Sequence, residues 1–201
     1  MQLKIAKIMI KMKNIVRIAL LGALGFGIGG LIIGTLFHFL GYSIRLAMVS
    51  PIIAGALGGA SLGVALRRKI WQLALAGVIG FLLSGALNAL YLNSNSLISA
   101  YPVMIGLLTG ASLGWGISSP FRITVWLAAA GILGGVLCIA VTKVITRTSV
   151  EPLFITNLDN VYPHAWLLFG LQGIIGGIFL GATLGFLDNR YNGNKSEYDA
   201  F

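Results

Sequence analysis

Charge is what this chain has least of. Of its 201 residues only 9% are Asp, Glu, Lys or Arg, where soluble domains carry about a quarter. With 57% hydrophobic residues and a mean hydropathy of +0.93, a water-soluble fold is excluded. Acidic residues are scarcer still. The five are Glu151, Asp159, Asp188, Glu197 and Asp199, and all lie outside the long hydrophobic stretches or at their edges. Ion-coupled carriers and proton pumps place a carboxylate near mid-membrane, so the pattern argues against carboxylate-coupled transport. It leaves open a passive pore, or transport energised by a partner.

Cysteine and histidine are nearly absent too. The single cysteine, Cys138, excludes an internal disulfide and a cysteine metal cluster. It reads as a small apolar side chain inside a hydrophobic stretch. The two histidines are His38 and His164. His164, Asp159 and Glu151 are suitable metal ligands by chemistry, but no tight spacing joins them and they read as a solvated loop. No metal and no cofactor is expected.

Long apolar runs are abundant. Six spans are expected at 16–40, 46–66, 70–92, 98–117, 121–145 and 165–187, each near the ~20 residues that carry a helix across the hydrocarbon core. Alternating barrel strands are missing, which leaves an all-α integral membrane bundle. The apolar core of the first span is far longer than that of a signal peptide.

Lys and Arg set the expected orientation. Lys4, Lys7, Lys11, Lys13, Arg17, Arg67, Arg68, Lys69, Arg122, Arg190 and Lys195 fall on one side, eleven of the fourteen. Arg45, Lys143 and Arg147 fall on the other. The positive-inside rule then places both termini in the cytoplasm, in an inner or internal membrane of bacterial type. In a soluble protein the formal charge of +9 would suggest nucleic-acid binding. Here the charges sit between spans, and no nucleic-acid partner is expected. Residues 1–13 form a basic cytoplasmic segment with Lys4, Lys7 and Lys11 on one helical face, expected as a short helix on anionic lipid. Residues 189–201 form a polar cytoplasmic tail. Interfacial aromatics, Trp71, Tyr91, Trp126, Tyr162 and Trp166, need no further role.

One phrase occurs three times. Gly55, Gly59 and Gly63 recur as Gly106, Gly110 and Gly114 and again as Gly177, Gly181 and Gly185, with Ala-Ser-Leu or Ala-Thr-Leu before the last glycine. Glycine at every fourth position leaves a bare stripe on a helix, and such a stripe allows close helix packing in lipid. The preceding spans align as well: Gly22, Gly77 and Gly131 coincide, as do Gly25, Gly80 and Gly134. The transmembrane domain, 14–188, is therefore expected as three tandem glycine-zipper hairpins, 16–66, 70–117 and 121–187, around a pseudo-threefold axis. Three helix pairs are similar in plan to the mitochondrial carriers. The charged proline motifs of that family are missing here and the repeats are much shorter, so the chain is not assigned to it.

Two sets of polar residues on these spans bear on chemistry. Gly59–Gly63 and Gly110–Gly114 both read GASLG, the form of a serine-hydrolase elbow. Ser61 lies six residues before Arg67, about 9 Å from the basic end, while both histidines map to the opposite side. Ser61 and Ser112 thus lack a base and are expected to bond back to their own helices, and no enzyme is expected. Ser50, Tyr101 and Gln172 hold equivalent repeat positions, and Asn88 aligns with Thr142. Together these five are candidate ligand-binding residues of a shallow outward vestibule. The leading expectation is an accessory or scaffold subunit of a larger membrane complex, with other membrane subunits or a second copy as partners. The alternative is a small channel or solute transporter using that vestibule.

Overall fold

The computed structural model describes residues 2–40, 44–67, 70–91, 101–117, 121–146 and 165–198. Six helices make up these residues: α1 (Gln2–Leu40), α2 (Ile44–Leu66), α3 (Ile70–Tyr91), α4 (Tyr101–Gly116), α5 (Phe121–Thr146) and α6 (Ala165–Tyr198). Four contain stretches long and apolar enough to cross a membrane, Ile8–Leu36, Ile70–Leu87, Phe121–Thr142 and Phe169–Asp188. The chain is therefore an integral membrane protein. The other two carry shorter apolar runs, Ile52–Leu66 in α2 and Pro102–Gly116 in α4.

Two helices extend beyond the expected membrane spans. The basic segment is helical and continuous with the first span, as α1 runs unbroken from Gln2 to Leu40. No glycine or proline interrupts it before Gly22, so nothing breaks the ladder between segment and span. Its 39 residues reach about 58 Å. Ile8, Met9, Ile10 and Met12 are exposed on this extension. At the other terminus α6 continues past Asp188 to Tyr198, through residues expected as a polar tail. A helix needs apolar residues to cross lipid, not to persist beyond it.

Each helix lies beside the next in sequence, and α6 returns to pack along α1, which closes a ring. Neighbours run antiparallel. From one end of the α2–α3 joint to the other, Gly55 meets Gly77, Gly59 meets Leu73 and Gly63 meets Ile70. Along α4–α5, Gly106 meets Gly131, Gly110 meets Leu127 and Gly114 meets Thr124. Along α6–α1, Gly177 meets Gly22, Gly181 meets Ile18 and Gly185 meets Ile15. In each case a Cβ on the first-named glycine would collide with the partner's backbone. Only glycine allows this approach, and close backbone packing is a main source of cohesion between helices in lipid.

Inside the ring, every helix contributes to one buried cluster: Ile18, Leu62, Leu73, Leu113, Leu127 and Leu184. Toward the other end Ile33 and Ala54 are buried with Phe81 and Phe169 packed against them. The outer surface is apolar, with Leu20, Leu24, Leu75, Leu133 and Val136 exposed, as expected of side chains that face acyl chains rather than water. Arg67 ends α2 with a φ of 52° and donates its N–H to the Val64 carbonyl at 3.2 Å. This left-handed cap is usually filled by glycine.

Candidate functional site

The serines of the two GASLG sequences are engaged with their own helices. Ser61 Oγ donates to the Gly58 carbonyl at 2.7 Å and Ser112 Oγ to the Thr109 carbonyl at 3.0 Å. A nucleophilic serine needs a base within hydrogen-bond reach. His164 and the His38 side chain lie outside the described residues. Both hydroxyls instead sit against glycines: a Cβ on Gly25 would collide with Ser61, and one on Gly80 with Ser112. They act as small spacers whose polarity is absorbed by the preceding turn.

The vestibule candidates fare unequally. Gln172 on α6 donates through Nε2 to Thr142 Oγ1 on α5 at 3.3 Å, so two of the five meet each other directly. Thr142 is buried and Gln172 half-buried. One turn earlier along α5, the Cys138 thiol donates toward the Gln172 backbone carbonyl oxygen at 3.5 Å. These three residues form a small polar cluster between α5 and α6. Ser50 is half-buried near the start of α2. Asn88 and Tyr101 belong to α3 and α4, but their side chains lie outside the described residues, as do Glu151, Asp159 and His164. No group of three or more His, Cys, Asp or Glu that could hold a metal occurs among the described residues.

Two further hydroxyls are buried, and nothing in the sequence marks them. Ser84 is fully buried and donates to the Gly80 carbonyl at 2.7 Å. Thr109 is 1% exposed, and its Oγ1 has no hydrogen-bond partner among the described residues. A lone Thr or Ser in an apolar helix carries no signal that separates an orphaned hydroxyl from one bonded back to the preceding turn. The Thr109 Cα lies against Gly80 of α3. Phe26 of α1 and Phe81 of α3 stack with ring centroids 6.0 Å apart, and the Phe26 ring fills the space that a side chain at Gly58 would need.

The arrangement therefore offers no assembled acid–base pair or nucleophile among the described residues, and a single polar cluster that satisfies itself. The chain matches no protein-family model, no curated protein and no solved structure.

Proposed function

We propose that this chain is a non-catalytic polytopic membrane protein that serves as an accessory or scaffold subunit of a larger membrane complex. The observation that carries the reading is the apolar interior. Leu62, Leu73, Leu113 and Leu127 are almost wholly buried in one cluster, and Phe26 of α1 stacks on Phe81 of α3. A conducting path needs polar or water-lined surface. The amide best placed to line one, Gln172, is instead paired with Thr142. A packing protein satisfies its buried polar groups in this way.

In this proposal all six helices cross the bilayer as three tandem hairpins about a pseudo-threefold axis. Recurrence of contacts supports it. Gly55–Gly77, Gly106–Gly131 and Gly177–Gly22 are equivalent pairs in the repeat register, as are Gly59–Leu73, Gly110–Leu127 and Gly181–Ile18. The tight joints tie each hairpin to the next, and the last to the first. Both termini face the cytoplasm by the distribution of Lys and Arg. The basic residues of α1 before Val16, beside exposed Ile8, Met9 and Met12, suit an anionic lipid surface. Other membrane subunits are the expected partners.

Purification from its native membrane in mild detergent tests the reading. A stoichiometric membrane partner that survives size exclusion is the expected result. A lone protein that moves a solute when reconstituted in liposomes overturns it and restores the transporter.

A further inference from the structure

The six joints of the ring are not built alike. At five of them a glycine is pressed against the neighbouring helix. A Cβ on Gly29 would lie 2.9 Å from the Ala54 Cα (α1–α2), and one on Gly63 2.8 Å from the Ile70 Cα (α2–α3). One on Gly80 would lie 2.6 Å from the Thr109 Cα (α3–α4), one on Gly135 2.6 Å from the Val103 Cα (α4–α5), and one on Gly181 2.8 Å from the Ala19 Cα (α6–α1). Such distances leave no room for any side chain, and the backbones are in direct contact.

The α5–α6 joint lacks this clamp. A Cβ on Gly134 would find its nearest neighbour, the Gly176 Cα, at 3.4 Å, an ordinary contact, and a Cβ on Gly176 would meet nothing within 4 Å. Dispersion falls steeply with separation, so a gap of even ~1 Å forfeits up to about half of a contact's attraction. Polar contacts stand where backbone packing stands elsewhere. Gln172 Nε2 reaches Thr142 Oγ1 at 3.3 Å and Cys138 Sγ reaches the Gln172 carbonyl at 3.5 Å. The amide contact is long for an N–H···O bond, a thiol is a weak donor, and interhelical hydrogen bonds in membranes are individually modest.

We infer that the ring opens at the α5–α6 joint, with Gln172 and Thr142 as the latch that holds it shut. Opening there parts two helices toward the surrounding lipid and leaves the five clamped joints intact. The low-stability end of a structure is where few close contacts are made, and this joint is that place in the ring. The inference stands on joint geometry and does not depend on what the bundle does.

The test uses the full chain in lipid nanodiscs, with Cys138→Ser as background so that a donor to the Gln172 carbonyl is kept. Nitroxide labels go on the lipid-facing pair Leu133 and Ile178 across α5–α6. A second sample carries them on Ile79 and Leu107, the equivalent pair across α3–α4. All four residues are exposed on the apolar surface. Pulsed EPR should give one narrow distance for Ile79–Leu107. For Leu133–Ile178 it should give a broader distribution with a second, longer component. Gln172→Leu should enlarge that component at least twofold. Equal widths for the two pairs, or a Leu133–Ile178 distribution unmoved by Gln172→Leu, overturn the inference. A stability readout stands beside it. Gly134→Ala and Gly176→Ala should leave the Tm in detergent unchanged, while Gly25→Ala and Gly80→Ala lower it by several degrees. A fall at Gly176 as large as at Gly80 also overturns the inference.

Discussion

Phe26 and Phe81 stack across the ring with their planes inclined by 20°, although α1 and α3 are not sequential neighbours. The contact joins the two helices that flank α2, with the Phe26 ring lying over Gly58. Phe26→Ala should destabilise the bundle by about 3 kcal/mol, the low end of what Phe truncation costs in cores. A double-mutant cycle with Phe81→Ala should give a coupling near 1 kcal/mol. Neither single variant should make liposomes permeable to small ions. A conducting Phe26→Ala variant would show that the rings close a pore rather than fill a core.

The tight joints make a graded prediction. Gly59→Ala and Gly110→Ala drive a methyl group into the carbonyls of Leu73 and Leu127 and should each cost about 1–3 kcal/mol, the usual range for overpacking. Gly59→Leu and Gly110→Leu should abolish the folded bundle. Leu57→Ala and Leu107→Ala, both at exposed positions, should change the Tm in detergent by a degree or two. Equal stability of the glycine and leucine variants would remove the role assigned to the glycines.

Thr109 and Thr142 should respond in opposite ways to the same substitution. Thr109→Val removes a buried hydroxyl that has no partner among the described residues, so stability should hold or rise by about 1 kcal/mol. Thr142→Val removes the acceptor of the Gln172 amide and should cost about 0.6 kcal/mol, the average for such bonds in a membrane protein. Reversible unfolding in mixed micelles measures both. A loss at Thr109 larger than at Thr142 contradicts the assignment.

Topology can be read by labelling. With Cys138 replaced, a cysteine at Ser196 should stay unreactive toward an impermeant maleimide in intact cells and react after permeabilisation. One at Thr156 should react in intact cells. Reversal of the two patterns refutes the cytoplasmic placement of the termini.

Helix ends were legible where a breaker or a charge marks them. The expected end at Leu66 matches α2, where Arg67 turns the chain, and the start at Ile70 matches α3. The ends of α1 and α6 were not, because hydropathy reports where lipid stops rather than where a helix does. Gln172 and Thr142 were both singled out, yet in different sets: Gln172 with Ser50 and Tyr101, Thr142 with Asn88. Their meeting depends on the stagger of α5 against α6, which a repeat alignment does not encode. The slack at Gly176 was equally hidden. By sequence it is one more glycine beside Gly177, and only the neighbouring helix distinguishes the two.

Closure of the ring by α6 against α1 has a consequence in time. α1 leaves the ribosome before the other five helices described, with Gly22, Gly27 and Gly30 awaiting partners on α6. Roughly 150 residues separate the two stretches, which at about 5–20 residues per second is on the order of 8–30 s of synthesis. Throughout that interval the first helix carries a bare backbone groove that any passing glycine-rich helix can occupy, including another of its own chain. Fidelity of assembly therefore rests on α2, which arrives next and packs on α1 at Gly25 and Gly29, holding one flank of the groove until the last helix fills the other.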